Sequence, residues 1–356
     1  MYYFSASYII GAAPCLIILL FLFGCGQARG EESVSWDNMY RRAKQVIPKL
    51  ERTQHKGQSG RIGIVGGSAE YTGAPYYAAI AALRCGADLS FVFCGEPAAA
   101  GPIKTYSPEL IVYPSLSYLN GTLTRLTALV LGPGLGRDGA VLKSTSEAIR
   151  AARDANVPLV LDGDALWLLK DQPDLIRGYK RAIITPNAME FDRLHRAAFN
   201  DQPAPPIKLS EESYLNTSSS PVGLELSVQE EPGLSVAKIA DWLGGVTVLR
   251  KGVVDIISDG TTAFGCSAFG SARRCGGQGD VLAGSCGVFL SWATSGKSPM
   301  NDIIGAAYGA SLLTRRANQQ AFELHKRSMT TPDLLHTLGV AFHDLYDSDS
   351  SPWCAL

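Results

Sequence analysis

The 356-residue chain lacks the features that mark several large classes of protein. It has no basic excess, because 32 lysines and arginines are balanced by 33 aspartates and glutamates. Nucleic-acid-binding domains usually carry a strong basic patch, so we exclude a general nucleic-acid binder. Charged residues make up only 18% of the chain and apolar residues 46%. This balance allows a substantial core and excludes global disorder.

Cysteine pairs with metal-site spacing are also absent. Two of the eight cysteines lie in the first 30 residues, and the six that follow contain no C-x-x-C pair. The spacing of a zinc site is therefore missing. Six scattered thiols in so long a chain are not typical of a disulfide scaffold. We predict that they are buried and reduced, which an oxidising compartment would not favour.

Charge is missing altogether from residues 1–28. Residues 9–23 are almost continuously apolar, and small residues follow before Arg29. The pattern is typical of a secretory signal with a small-residue cleavage site, and a transit peptide would be Arg-rich. The apolar run is also close to the length of a membrane anchor. We assign residues 1–30 to a signal-like or signal-anchor segment. It predicts the secretory pathway or endoplasmic reticulum, with mitochondria as the alternative, and membrane attachment only if it is uncleaved.

From residue 61 onward, short apolar strands alternate with helical segments. Strands are predicted at 62–65, 89–93, 128–131, 158–161, 182–185 and 246–249, and a hairpin at 254–266. This alternation predicts an α/β/α domain with a mostly parallel sheet and helices on both faces. We place that single domain at 34–345, with a proline- and serine-rich loop insertion at 197–234 and a tail at 346–356.

Glycines and polar side chains follow the predicted strands, at the edge where open α/β sheets bind ligands. Gly134 and Gly136 follow one strand, but neither G-x-G-x-x-G nor a P-loop motif is present. Glycine after a strand also simply makes a tight turn. Asp162 and Asp164 follow the next strand, and Asn187 the one after. Each of these either caps a helix or contacts a ligand.

The sharpest signal is Gly276-Gly277-Gln278-Gly279-Asp280, directly before an apolar run. Three glycines in four positions cost backbone entropy, and a helix start alone does not require them. Backbone amides that approach a phosphate do explain them. A carboxylate beside that phosphate can take a proton, so we predict that Asp280 is the catalytic base. An acid in a first helical turn is worth less than about 1 kcal/mol, so we expect Asp280 to affect folding little.

The segment GSARRCGGQGD at 270–280 resembles the anion-hole motif of the ribokinase-like superfamily. It is most similar to the ATP-dependent NAD(P)H-hydrate dehydratases of that superfamily. Further blocks along 56–316 resemble the same family in order: GRIGIVGGSAEYTGAPYYAA, SPELIV, LGPGLGRD, ITPNAMEFDRL, VTVLRKG, DIISDG and AYGASLLTRR. The resemblance implies a three-layer ribokinase-like fold. It also implies a metabolite-repair lyase that uses ATP to dehydrate the S epimer of hydrated NADH or NADPH, releasing ADP and phosphate.

The resemblance also implies residue roles, carried over by motif. Besides Asp280, the hydrated dinucleotide is expected to contact Gly134, Gly136, Asn187, Ala188, Met189, Glu190, Phe191, Asp192 and Arg193. ATP is expected to contact Lys251, Gly252, Val253, Val254, Asp255, Gly270, Ser271, Ala272, Arg273, Arg274, Cys275, Gly276, Gly277, Gln278 and Gly279. ATP is the implied co-substrate, together with Mg²⁺, whose ligands the sequence does not indicate. An NAD(P)H-hydrate epimerase is the implied functional partner, and the oligomeric state is left open.

Two other functions stay open at this point. A kinase of the same superfamily, acting on a small alcohol such as a hydroxymethyl-pyrimidine or thiazole, needs the same anion hole. It would leave a stable phosphorylated product, whereas the dehydratase releases the dehydrated cofactor with phosphate and ADP. A catalytically silent protein that binds NAD(P) or its damaged forms has no need of a base, so Asp280 argues against it.

Overall fold

A ten-stranded sheet forms the centre of the protein. The computed structural model describes residues 31–207, 223–296 and 301–348. The strands in these ranges are β1 (Arg61–Gly66), β2 (Leu89–Cys94), β3 (Ile111–Tyr113), β4 (Ala128–Leu131), β5 (Leu159–Leu161), β6 (Ala182–Ile184), β7 (Gly223–Leu226), β8 (Thr247–Arg250), β9 (Asp255–Ser258) and β10 (Ala263–Cys266). Their order across the sheet is β3-β2-β1-β4-β5-β6-β8-β9-β10-β7. The strands from β3 to β8 in this order run parallel, and the last three add in antiparallel fashion.

Helices cover both faces of the sheet. They are α1 (Glu31–Val46), α2 (Gly73–Cys85), α3 (Ala100–Tyr106), α4 (Gly139–Asp154), α5 (Leu166–Leu169), α6 (Ala188–Ala198), α7 (Gly233–Trp242), α8 (Gln278–Ala293), α9 (Ile303–His325) and α10 (Thr331–Phe342). Successive side chains of a strand point to opposite faces. In β4, Val130 joins the core under α2, α8 and α9, whereas Leu129 and Leu131 join the core under α4 to α7. The predicted three-layer α/β/α fold is confirmed.

Two predicted boundaries need correction. The stretch 197–234 was predicted as a loop insertion, but it contributes β7 to the sheet edge, where Leu226 pairs with Ala263 of β10. Residues 208–222 of that stretch lie outside the described ranges. The predicted tail at 346–356 starts too early, because Tyr346 is buried and stacks on Tyr40 of α1. Both errors concern short segments whose partners are distant in the chain.

The cysteines of the described ranges are free thiols. Cys85, Cys94, Cys266 and Cys286 are buried, and Cys275 is half-buried. The prediction of buried, reduced cysteines is confirmed for the first four. Cys354 lies outside the described ranges.

No helix in the described parts of the chain combines the length and the apolar character needed to cross a membrane. The predicted leader at 1–30 lies outside those parts.

Candidate active site

The carboxyl ends of β5, β6 and β8 bring a lysine and an aspartate together. Lys251 Nζ lies 2.5 Å from Asp162 Oδ1, and the Thr185 hydroxyl donates to the same oxygen at 2.8 Å. These residues directly follow three strands that are neighbours in the sheet. Neighbouring strands lie about 4.8 Å apart, so side chains at their ends can touch. Asp162 is therefore half of a buried ion pair, and its side chain does not cap the helix that follows.

The start of α6 lies beside this ion pair. Asn187 Oδ1 accepts from the backbone N–H groups of Met189 and Glu190, each at 3.0 Å. Glu190 Oε2 accepts from the Asn187 N–H at 2.8 Å and lies 3.9 Å from Lys251 Nζ. This reciprocal arrangement is a capping box, so the capping interpretation of Asn187 is confirmed. Burial raises the pKa of Glu190, and the positive charge of Lys251 opposes that shift.

Asp280 lies in the first turn of α8. Its pKa is raised to about 7, first by burial and next by the negative charge of Asp162, whereas Lys251 opposes the shift. Burial disfavours the charged form of Lys251, but the attraction of Asp162 and Glu190 outweighs it and raises the pKa of that lysine. A carboxyl group with a pKa near neutrality is well suited to accept and return a proton.

The three glycines before Asp280 differ in their surroundings. Gly277 has a φ of +98°, and a Cβ there would lie 2.6 Å from Tyr77 Cδ2. The fold itself therefore requires glycine at this position. A Cβ on Gly276 would meet nothing within 4 Å, and one on Gly279 would meet only Lys251 Nζ, at 3.5 Å. The space in front of these two glycines is open, as the approach of a phosphate to backbone amides requires.

A cavity of about 1180 Å³ opens beside this helix start. Most of the predicted ATP contacts line it: Lys251, Gly252, Val253, Val254, Asp255, Gly270, Ser271, Arg274, Cys275, Gln278 and Gly279. Ala272, Arg273, Gly276 and Gly277 are not among its lining residues. The side chain of Arg273 instead donates from Nε to the Met329 carbonyl, at 3.3 Å. The structure therefore separates the two arginines, since only Arg274 borders the cavity.

One wall of the cavity is a polar face of α9 that the sequence analysis missed. It consists of Ser311, Thr314, Arg315, Asn318 and Gln319. The spacing i, i+3, i+4, i+7, i+8 places these residues on one side of a helix. A polar stripe with this spacing, in a helix whose other residues are largely apolar, is the signal that could have revealed them.

Arg315 holds the two loops that border the cavity. Its Nε and Nη2 contact the two oxygens of Asp255 at 2.9 and 2.7 Å. Its remaining N–H groups donate to the carbonyls of Gly252, Val253 and Ala268. Burial opposes the ionised form of Asp255, but Arg315 outweighs it and lowers the pKa of this carboxyl. Asp255 lines the cavity while its carboxylate supports the loop, so its contact with ATP stays a prediction.

The predicted dinucleotide stretch at 187–193 is also divided by the structure. Phe191 is fully buried. Asp192 pairs with Arg196 at 2.8 Å and accepts from the Ala204 N–H at 2.8 Å. The side chain of Phe191 is closed off from the surface, whereas that of Asp192 is 37% exposed, and the contact of both residues with the dinucleotide stays a prediction. Ala188 and Met189 are exposed, and Arg193 is half-buried.

Gly134 and Gly136 lie in the turn after β4, with φ values of +57° and +79°. A Cβ on Gly134 would lie 2.8 Å from the Tyr71 carbonyl oxygen, so glycine allows the close approach of two loops. The Gly136 N–H donates to Asp164 Oδ2 at 3.0 Å. The structure explains both glycines through the turn, and their contact with a dinucleotide stays a prediction.

Solved structures with similar architecture identify the fold. A ribokinase-like superfamily protein from Enterococcus faecalis has a TM-score of 0.65 at 21% identity, covering 87% of this chain and 95% of that one. An ADP/ATP-dependent NAD(P)H-hydrate dehydratase from Bacillus subtilis, co-crystallised with ATP/Mg²⁺, has a TM-score of 0.61 at 17% identity, covering 86% of this chain and 97% of that one. At these identities the likeness concerns the fold, which is ribokinase-like.

The sequence comparisons define the family. The sequence profile described as NAD(P)H-hydrate dehydratase matches residues 62–339. The ATP-dependent (S)-NAD(P)H-hydrate dehydratase of Homo sapiens is 46% identical over 325 residues, which are 88% of this chain and 86% of that protein. The protein of the same name from Danio rerio is 45% identical over 326 residues, 89% of this chain and 91% of that protein. The chain belongs to the NAD(P)H-hydrate dehydratase family, which confirms the resemblance seen in the sequence.

Proposed function

We propose that this protein is an ATP-dependent (S)-NAD(P)H-hydrate dehydratase, which removes water from the S epimer of hydrated NADH or NADPH. The observation that carries the proposal is the position of Asp280, whose pKa is about 7, beside Gly276 and Gly279, in front of which the space is open. The cavity next to this helix start, about 1180 Å³ in volume, is large enough for a nucleotide. The names of the relatives at 46% and 45% identity support the same activity.

In the first step the hydroxyl of the hydrated ring is phosphorylated. Asp280 accepts the hydroxyl proton as the oxygen forms a bond to the γ-phosphorus of ATP. The bond between that phosphorus and the ADP oxygen breaks. The amides of Gly276 and Gly279 and the ammonium of Lys251 stabilise the negative charge on the transferring group.

In the second step phosphate leaves the ring. The carbon–oxygen bond breaks and the phosphate takes its electron pair. The neighbouring ring carbon loses a proton to the departing phosphate, and the electrons of that carbon–hydrogen bond form the ring double bond. The products are NADH or NADPH, ADP and phosphate. No group is oxidised or reduced, so the reaction is that of a carbon–oxygen lyase.

In this proposal Mg²⁺ enters with ATP. Among the residues described, no three His, Cys, Asp or Glu side chains are arranged to hold a metal ion. Mg²⁺ commonly keeps several waters and binds substrate phosphates with one or two carboxylates. Asp162 and Asp164, whose charges act on Asp280, suit that arrangement, which needs no complete set of protein ligands.

The test of the base is Asp280→Asn, assayed with hydrated NADH and ATP-Mg by the absorbance of the reduced nicotinamide. We expect kcat to fall by about 10²–10⁴-fold, the usual contribution of a general base. For the unaltered protein, activity should rise with pH through about 7, because the base acts in its ionised form. Asp154→Asn, at the exposed end of α4, is the matched control. An Asp280→Asn protein that melts normally and keeps more than about a tenth of kcat would exclude the role.

The same assay separates the dehydratase from a small-alcohol kinase. Release of phosphate and ADP in step with the appearance of NADH supports the dehydratase. A stable phosphorylated product with no NADH supports the kinase.

We further propose that residues 1–28 are a cleaved leader and that the mature chain begins near Arg29. The charge-free apolar run and the small residues after it support this proposal. N-terminal sequencing of the native protein tests it, and a soluble form that begins at Met1 would contradict it. Because the proposed activity uses only the S epimer, an enzyme that interconverts the two epimers is the expected functional partner.

A further inference from the structure

Three cationic side chains surround one tryptophan near the active-site acids. The guanidinium carbons of Arg193 and Arg137 lie 4.5 and 4.6 Å from the ring centroid of Trp167. Lys170 Nζ lies 5.0 Å from the same centroid. All three distances are within the ~6 Å range of cation–π attraction. Trp167 is in α5, Arg137 follows the turn after β4, and Arg193 is in α6, so three elements converge on one ring. We call these four residues the Trp167 cluster.

Ion pairs hold two of the three cations of the Trp167 cluster. Asp164 pairs with Arg137 at 2.8 Å, and Asp171 pairs with Lys170 at 2.6 Å. Within the three described ranges, Arg193 makes no ion pair, and its guanidinium lies against the indole. The ring restricts the orientation of Arg193 and leaves its N–H donors available. Arginine donors of this kind bind phosphate oxygens in pairs.

Asp164 connects the Trp167 cluster to the active site. One of its oxygens accepts from Arg137 Nε at 2.8 Å, and the other accepts from the Gly136 N–H at 3.0 Å. The charge of Asp164 also contributes to the raised pKa of Asp280. Arg193 lies one helical turn after Glu190, which is 3.9 Å from Lys251. The cluster therefore adjoins the reacting centre.

The Trp167 cluster is separate from the proposed ATP site. None of its four residues lines the cavity of about 1180 Å³. Trp167 instead borders a second cavity of about 450 Å³, together with Gly139 and Lys143. Arg137, Lys170 and Arg193 do not line that cavity. When the nicotinamide ring of a dinucleotide reaches Asp280, the phosphates of the same molecule lie away from that ring. The Arg137 side chain is 52% exposed, so a phosphate can reach the cluster from solvent.

We propose that the Trp167 cluster is a phosphate-binding subsite for the hydrated dinucleotide. Arg193 and Arg137 contact phosphate oxygens, and Trp167 is a positioning residue that orients both guanidinium groups. The inference rests on the proposed function. It adds that the protein also recognises the phosphate-bearing part of the substrate, which does not react. Two phosphates suit the chemistry: the pyrophosphate that both dinucleotides carry, and the extra phosphate that only the NADPH form carries.

The experiment compares Trp167→Leu, Trp167→Phe and Arg193→Gln with the unaltered protein. Arg125→Gln, at an exposed arginine outside the cluster, is the matched control. The readouts are kcat, the KM for ATP, and the KM and equilibrium Kd for hydrated NADH and hydrated NADPH. We expect Arg193→Gln and Trp167→Leu to raise the dinucleotide KM and Kd about tenfold, as for a lost charged hydrogen bond. The KM for ATP should stay unchanged, and Trp167→Phe should restore most of the affinity because it retains a ring.

An equal rise for both dinucleotides assigns the cluster to the pyrophosphate, and a rise confined to hydrated NADPH assigns it to the extra phosphate. Unchanged dinucleotide Kd values in Arg193→Gln, or a parallel rise in the KM for ATP, would overturn the inference. Failure of the proposed function looks different, because the unaltered protein would then form no NADH. The equilibrium Kd values test the subsite in either case.

Discussion

Replacing Asp280 by asparagine should stabilise the folded protein at alkaline pH while it removes the proposed base. The sequence led us to expect almost no effect on folding, because a first-turn acid is worth less than about 1 kcal/mol. The structure changes that expectation, because burial and the neighbouring Asp162 raise the pKa of Asp280 from 3.8 to about 7. Each unit of pKa difference corresponds to 1.36 kcal/mol, so a shift of about three units sets an upper limit of about 4 kcal/mol. The half-buried carboxyl keeps some contact with solvent, which brings the expected value below that limit.

The direction of the effect follows from the two ionisation states. Below pH 4 Asp280 is protonated in both the folded and the unfolded protein, so it contributes no difference. Between about pH 4 and pH 7 the unfolded chain loses this proton first, and the stability of the folded state falls as pH rises. Above about pH 7 the carboxylate is ionised in both states and the full penalty is present. Asparagine resembles the protonated acid and avoids the penalty.

The assay is urea unfolding of the ligand-free protein and of Asp280→Asn at pH 5, 7 and 8.5. The advantage of the variant should grow with pH and level off above the pKa of about 7. Asp333→Asn is a control of opposite sign, because hydrogen bonds from Thr330 lower the pKa of Asp333. That variant should be less stable than the unaltered protein at neutral pH. An Asp280→Asn protein that is less stable at pH 8.5 would refute the argument from burial.

Two further changes test the ATP cavity. Arg274→Ala should raise the KM for ATP more than the KM for the dinucleotide, because Arg274 borders the cavity. Arg273→Ala is the control, because Arg273 donates to the Met329 carbonyl instead. Equal effects of the two variants on the KM for ATP would contradict the assignment. Arg315→Lys should also raise the KM for ATP, because one ammonium cannot hold both Asp255 and the carbonyls of two loops. An unchanged KM for ATP in Arg315→Lys would show that these loops keep their shape without the guanidinium.

The sequence predicted the interior of the sheet better than its edges. Strands buried on both faces appear as short apolar runs that end in glycine or a polar residue. The predicted strand at 128–131 has the bounds of β4, and its neighbours differ by one or two residues. β7 was missed, because an edge strand of four residues carries a weak pattern and its partner β10 lies far along the chain. α10 was missed as well, although Thr330 and Asp333 form its capping box.

In the candidate site, too, residues that are adjacent in the sequence were predicted, and contacts between distant residues were not. The glycines and Asp280 form a continuous segment, so their chemistry could be inferred without a fold. The ion pair of Lys251 and Asp162 spans 89 positions, and it depends on β8 lying beside β6 rather than elsewhere in the sheet. The order of the strands depends on how the helices pack on the faces of the sheet. The sequences of the strands do not specify that packing. The convergence of three cations on Trp167 depends on the same arrangement.

The glycines before Asp280 allow the anion-hole interpretation to be separated from simple turn formation. Gly277→Ala should lower stability, because φ is +98° and a Cβ would contact Tyr77 at 2.6 Å. Gly279→Ala meets only Lys251 Nζ, at 3.5 Å, and alanine favours a helix by about 1 kcal/mol over glycine. That variant should therefore melt at or above the temperature of the unaltered protein. If a phosphate approaches the amide of Gly279, the added methyl group occupies its path and the Kd for ATP rises. Calorimetric titration with ATP-Mg measures this, and a Gly279→Ala protein that binds ATP normally would show that the glycine serves the turn alone.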